Sequence, residues 1–210
     1  MSLDKRKNIG IVLLAAGESA RLGRAKQLLA FKGKTLLEIS MFHAKTSNSD
    51  HIISVLGANA GVIQKKLNLD QDSVIYNPDW KSGMSGSMKI GLSYLIEKYQ
   101  IEAVIIMLSD QPFADSALIN KLIDQFQLGQ KGIITSSYGD TLGVPALFDQ
   151  KYFPELLALD NKEGAKKIIF SNLEDVAKID FPLGTFDIDT EEDYQKLLKI
   201  KDDQDLFLSS

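Results

Sequence analysis

Short apolar runs rich in β-branched residues recur along the chain, each followed by a longer amphipathic stretch, and this alternation leaves few folds open. Ile9 to Ala16 is such a run, closed by Gly17, and suits a strand buried on both faces. Thr35-Leu36-Leu37-Glu38 reads as a capping box, the threonine oxygen taking an orphan amide while Glu38 reaches back, and opens a helix to about Lys45. A strand from His51 to Leu56, a short helix from Val62 to Leu67 and a strand from Ser73 to Tyr76 follow. Turn-rich residues Asn77 to Gly86 lead into a helix from about Ser87 to Lys98. Ala103 to Leu108 is the most apolar segment. Beyond Asp110-Gln111-Pro112 come a helix from about Ser116 to Gln127 and a strand from Gly132 to Ser136.

Pro145, Pro154 and the irregular stretch around Asn161 break the rhythm. Phe186 to Asp189 reads as a late strand, and Thr190 caps a last helix of about Glu191 to Lys199. Strand alternating with helix predicts an α/β fold, a parallel sheet covered on both faces. At 210 residues a single domain over 1–200 is expected, followed by a polar, frayed tail over 201–210. In such sheets ligands sit beyond the carboxyl ends of the strands. The polar residues after Ala16, Tyr76, Leu108 and Ile188 should therefore converge on one crevice.

Composition excludes several chemistries. With no cysteine there is no disulfide framework, thiolate zinc site or cysteine nucleophile. Two histidines, His43 and His51, cannot build a histidine-rich metal centre. A net charge of −4 with no basic block argues against nucleic acid or an anionic membrane as partner. No apolar stretch approaches the ~20 residues of a membrane helix, and Met1 to Asn8 lacks an apolar signal core, so a soluble, cytoplasmic protein is expected.

The richest stretch runs from Leu14 through Ala15, Ala16, Gly17, Glu18, Ser19 and Arg21 to Lys26. Small residues let backbone approach a bulky anion, and successive free amides can line a phosphate nest. Arg21 offers a planar fork for phosphate oxygens and Lys26 a point charge. Neither the Walker spacing nor the dinucleotide fingerprint is present. A plain glycine-punctuated turn with solvated charges is the alternative for this loop alone.

The pattern L-A-A-G-x-S-x-R-x-G-x-x-K resembles the signature loop of the MobA-like nucleotidyltransferases, in particular the molybdenum cofactor cytidylyltransferases and their purine-catabolism relatives. Further motifs follow in order: Asn77-Pro78 with Trp80, Gly83-Met84 and Ser87; Asp110-Gln111-Pro112; Gly143-Val144-Pro145; and Asp187-Ile188-Asp189-Thr190. The resemblance implies a three-layer α/β/α, nucleotide-diphospho-sugar transferase-like (Rossmann-like) fold with a mostly parallel sheet. It implies a nucleotide site at Leu14, Ala15, Ala16, Gly17, Ser19, Arg21, Lys26, Gly83, Ser87 and Asp110, with Arg21, Lys26 and Asp110 catalytic. Ala16, where guanylyl relatives carry glycine, implies CTP.

Asp110 should end a central strand and hold Mg²⁺, with Mn²⁺ possible, since hard cations take carboxylate oxygens plus substrate phosphates. Asp187 and Asp189, alternating along the expected strand, share a side; Asp189 is slightly favoured as second ligand, and an acidic helix start is the alternative for both. The implied reaction transfers CMP from CTP to a molybdopterin-type acceptor and releases pyrophosphate, a molybdenum hydroxylase being the eventual recipient. The acceptor segment departs from the family at Leu159, where a glycine is usual, though Gly164-Ala165 is kept; Arg24 and Lys166 are candidate acceptor-phosphate contacts or solvated charges. Three rivals remain: a cytidylyltransferase for a sugar or polyol phosphate, a non-catalytic cofactor-delivery protein serving a xanthine-dehydrogenase-like enzyme, and a nicotinamide-dependent oxidoreductase, which lacks its fingerprint.

Overall fold

The computed structural model describes residues 6–161 and 163–200. Its strands are β1 (Ile9–Ala15), a small hairpin of β2 (Ala30–Phe31) and β3 (Lys34–Thr35), β4 (His51–Leu56), β5 (Val74–Tyr76), β6 (Ala103–Leu108), β7 (Ile133–Tyr138), β8 (Thr141–Asp149) and β9 (Val176–Asp180). The helices are α1 (Leu36–Lys45), α2 (Ala60–Leu67), α3 (Met84–Tyr99), α4 (Ser116–Gln127), α5 (Phe153–Ala158), α6 (Ala165–Ser171) and α7 (Glu191–Lys199). Seven strands form one sheet in the order β5-β4-β1-β6-β8-β7-β9. All pairs are parallel except those made by β8 with β6 and β7.

The sheet is buried on both faces, as the unbroken apolar runs require. Along β1, Ile9, Ile11, Leu13 and Ala15 join the core under α1 and α4, whereas Val12 and Leu14 join the core under α3 and α5. That is the period of two expected of a strand. From β1 the chain builds outward through β4 and β5, then crosses back to place β6 on the other side of β1. Such a reversal opens a crevice at the carboxyl ends of the strands.

Three expectations are corrected. Phe186 to Asp189 is irregular backbone, not a strand. β9 already takes the parallel edge beside β7, so this segment has no ladder to join; Ile188 instead plugs a small core with Leu29 and Phe31, and its amide donates to Asp110 O at 3.3 Å. The strand β8 was hidden by Pro145, which a central strand tolerates only at an irregularity. Here the β7–β8 register slips by a bulge between Thr135 and Ser136, and Val144 and Pro145 occupy the extra positions. Helix α3 begins at Met84, ahead of the expected start near Ser87, because Gly83 provides an N-terminal turn with φ 128°. The tail over 201–210 lies outside the described residues, and no described helix is long and apolar enough to cross a membrane.

Candidate active site

The loop after β1 folds back on itself through two short turns, Ala20–Leu22 and Lys26–Leu28. Ser19 adopts a left-handed conformation (φ 59°) and its hydroxyl accepts the Lys26 amide at 3.1 Å, which returns Lys26 to the mouth of the strand it left. No hydrogen-bond partner is found for the amides of Gly17 and Glu18 among the described residues. They remain available to an anion.

Lys26 meets the carboxylates there. Its ammonium donates to Asp110 Oδ2 and, at 2.9 Å, to Asp189 Oδ1; Arg21 Nη2 donates to the other Asp189 oxygen at 2.7 Å. Burial alone would lower the Lys26 pKa, but the charges and hydrogen bonds of Asp110 and Asp189 outweigh it and raise the value, so the side chain is protonated. Hydrogen bonding to Lys26, helped by Arg21, holds Asp189 below the usual carboxylate range. Asp187 behaves oppositely. Dense protein around its carboxyl, together with the Asp110 and Asp189 charges, pushes it up to about 6. The sequence-predicted Arg21, Lys26, Asp110 and Asp189 thus meet at one rim.

Beneath them lies a cavity of about 320 Å³, lined by Leu14, Ala15, Ala16, Gly17, Lys26, Gly83, Ser87 and Asp110, together with Gln27, Trp80 and Ser109. Ser19, Arg21 and Asp189 stand outside the lining, as supports of the loop and rim. The far wall is built from the segment after β5. Asn77, 1% exposed, donates to the Ser87 hydroxyl at 2.9 Å, tying the Asn77-Pro78 turn to α3. Gly57 has to be glycine: a Cβ there would lie 2.6 Å from Ala16 O and 2.7 Å from Trp80 Cβ. Gly83 likewise faces Asn161 O, 1.8 Å from where its Cβ would be, and Ser85 Oγ donates to Asp160 O at 2.8 Å. The segment at Asp160 and Asn161 is therefore stitched to the start of α3.

A second cavity of about 110 Å³ adjoins the first through Leu14, Met84 and Leu108 and continues along Met88, Tyr138, Val144 and Lys166. Its walls are mostly apolar. Lys166 borders it, whereas Arg24 does not: it pairs with Glu191 at 2.7 Å and lies over the Tyr194 ring. Of the histidines, His43 is buried on α1 and His51 stacks on Tyr99 at 3.9 Å, both remote from the loop. Reading the sequence missed Gln27 and placed Trp80 in a motif without giving it a role at the site. The place of Gln27 beside Lys26 was its one signal.

The donor set suits a hard divalent cation. Asp110 Oδ1 is buried with no hydrogen-bond partner, and Asp187 stands among like charges that a cation would relieve. Among the described residues no three His, Cys, Asp or Glu side chains form a ready metal cage. A cation here would draw the rest of its ligands from phosphate and water.

Comparisons with known proteins bear on the family. The chain is 34% identical over 120 residues to the nicotine blue oxidoreductase of Paenarthrobacter nicotinovorans, a match that spans 57% of either protein. It is 28% identical to the purine catabolism protein PucB of Bacillus subtilis over 87% of this chain and 92% of PucB. To the molybdenum cofactor cytidylyltransferase of Escherichia coli K12 it is 24% identical over 89% and 93%. The crystal structure of Rv0371c from Mycobacterium tuberculosis H37Rv superposes with a TM-score of 0.81 at 30% identity, covering 92% of this chain and 98% of that one. A manganese complex of Rv0371c superposes at 0.76 with 27% identity, covering 92% and 100%. A family model, the MobA-like NTP transferase domain, matches residues 11–176, and the chain belongs to that family of nucleotidyltransferases.

Proposed function

We propose that the protein transfers CMP from CTP to a molybdopterin-type acceptor and releases pyrophosphate, with Mg²⁺ or Mn²⁺ as cofactor. The observation that carries this reading is the Lys26 ammonium set between Asp110 and Asp189 at the mouth of a cavity lined by the small residues of the loop. The free amides of Gly17 and Glu18 and the cations Arg21 and Lys26 would receive the triphosphate. Asp110, with Asp187 or Asp189, would hold a divalent ion, which supplies charge neutralisation of the phosphates when bound. An anionic acceptor phosphate attacks the α-phosphorus in line, and Lys26 and Arg21 spread the charge that develops there. The acceptor arrives already ionised, so no general base is required.

Two features support the finer choices. Ala16 lines the cavity, where its methyl group in place of a glycine hydrogen would favour the smaller pyrimidine. The adjoining cavity offers Met84, Met88, Val144 and Tyr138, walls better matched to a flat heterocycle such as a pterin than to a polyol. The E. coli relative bearing the molybdenum cofactor cytidylyltransferase name adds to this reading. The paired Lys26 and Asp110 have no evident use in hydride transfer or in mere cofactor delivery.

The test is pyrophosphate release with CTP, GTP and ATP, each against molybdopterin cofactor, a sugar phosphate and a polyol phosphate. CTP with the molybdopterin acceptor should give the highest rate. Turnover confined to a sugar or polyol phosphate would replace the acceptor, and cofactor binding without any turnover would replace the enzyme.

A further inference from the structure

Gln27 follows Lys26 and is almost wholly enclosed, at 1% exposed. Its side-chain nitrogen donates to Ala15 O at 2.9 Å and to Gly17 O at 3.0 Å. Both partners are carbonyls, so the orientation of the amide is fixed by its neighbours. One side chain thereby bridges the last residue of β1 and the glycine of the loop. In a trans peptide the C=O and N–H point in opposite directions. Fixing the carbonyls of Ala15 and Gly17 therefore fixes the amides of Ala16 and Glu18.

The same side chain carries a penalty. Gln27 Oε1 is buried without a partner, which costs about 1–3 kcal/mol and offsets most of what the two hydrogen bonds of the same side chain contribute, about 0.5–1.5 kcal/mol each. Stability alone does not account for glutamine here. We propose that Gln27 is a positioning residue that clamps the loop backbone in its anion-cradling shape and couples it to the adjacent Lys26. This rests on the nucleotide reading above.

The protein has one tryptophan, Trp80, on the wall of the cavity, and its fluorescence reports occupancy without turnover. Wild type, Gln27→Met and Gln27→Asn are titrated with CTP and with cytidine in the presence of Mg²⁺. In Gln27→Met, CTP should weaken about tenfold while cytidine is unchanged; because the variant sheds the unpartnered Oε1 but also takes the donor from the Ala15 and Gly17 carbonyls, its melting temperature should move by only a few degrees in either direction. Gln27→Asn, which keeps the amide, should recover part of the loss and also serves if the methionine variant fails to fold. Equal weakening of CTP and cytidine, or unchanged CTP binding, would overturn the proposal. A wild-type protein indifferent to CTP, GTP and ATP would instead refute the nucleotide reading. Backbone ¹⁵N relaxation at Ala16 to Glu18 then judges the clamp by itself: lower order parameters in Gln27→Met if the clamp exists, unchanged ones if it does not.

Discussion

Replacing Asp110 by Asn should separate folding from function. Asp110 and Lys26 are both largely enclosed, with side chains 12% and 15% exposed, and their ion pair is shielded from solvent. Removing one member of a buried pair outright strands the other charge and costs about 3–5 kcal/mol. Asparagine does not strand it, because Lys26 keeps Asp189 at 2.9 Å and can donate to the new amide oxygen. What is lost is the carboxylate's share of the attraction: the bond to the amide oxygen stays assisted by the Lys26 charge, so it keeps a value at the lower end of about 1.5–3 kcal/mol. Against that, the enclosed carboxylate no longer has to be desolvated, and its unpartnered Oδ1 is exchanged for an unpartnered amide nitrogen. The terms nearly cancel, leaving a net change within about 1–2 kcal/mol. For a chain of this size that moves the melting temperature by about 2–8 °C at most. Thermal denaturation in EDTA checks this number, and pyrophosphate release with Mg²⁺ or Mn²⁺ checks the chemistry, which should fall by at least about a hundredfold, as for loss of one electrostatic catalytic group. A melting temperature lowered well beyond that range would make Asp110 a structural keystone. Retained turnover would remove it from the reaction.

Three other outcomes follow from local geometry. Gly83→Ala places a Cβ 1.8 Å from Asn161 O at φ 128°, so it should destabilise by at least about 1 kcal/mol and raise the KM for the acceptor more than that for CTP; equal KM values for both substrates would separate the Asn161 segment from acceptor binding. Thr190→Val removes a capping box on α7 and should lower stability by about 1 kcal/mol, measured by urea denaturation; an unchanged midpoint would show the cap to be idle. Asp175 is opposed by burial, but hydrogen bonds from Lys151 and Tyr152 hold its carboxyl below the usual range. A depressed folded value gives stability that is complete above the unfolded value of about 4 and is lost as pH falls through the folded one. Asp175→Asn should therefore be less stable than wild type at pH 7, the gap closing in acid; melting curves that stay parallel down to pH 2.5 would contradict this.

Much of the first half of the fold was legible because its signals are local. The capping box at Thr35 and the cap at Thr190 form as read, the latter completed to a box by Asp193, and β1 and β6 are apolar runs too uniform to be anything but doubly buried strands. The second half was harder because its order is set by pairing. β8 contains Pro145 and became visible only as the antiparallel strand between β6 and β7. β9 alternates only weakly and is defined by its neighbour β7. Phe186 to Asp189 carries a strand's alternation without a partner to pair with.

The site divides in the same manner. Arg21, Lys26 and Asp110 were readable from motif chemistry, and Asp189 was weighed against Asp187 on parity along a strand that does not form. The structure gives a different distinction: Asp189 is paired with Lys26 and Arg21, while no ion pair to Asp187 is found among the described residues and its carboxyl is pushed up to about 6 despite the Lys26 charge. Gln27 escaped, and the role of Trp80 stayed unread, because each acts through folded contacts, with Ala15 and Gly17 for one and the Gly57 turn for the other.

A crystal structure of the protein with Mn²⁺ and a non-hydrolysable CTP analogue addresses the shared pocket directly, through the anomalous signal of the metal. The account places manganese on Asp110, the triphosphate against the amides of Gly17 and Glu18, and Lys26 released from its carboxylates onto phosphate oxygens. Manganese and nucleotide bound elsewhere, with the Lys26–Asp110 pair undisturbed, would contradict it.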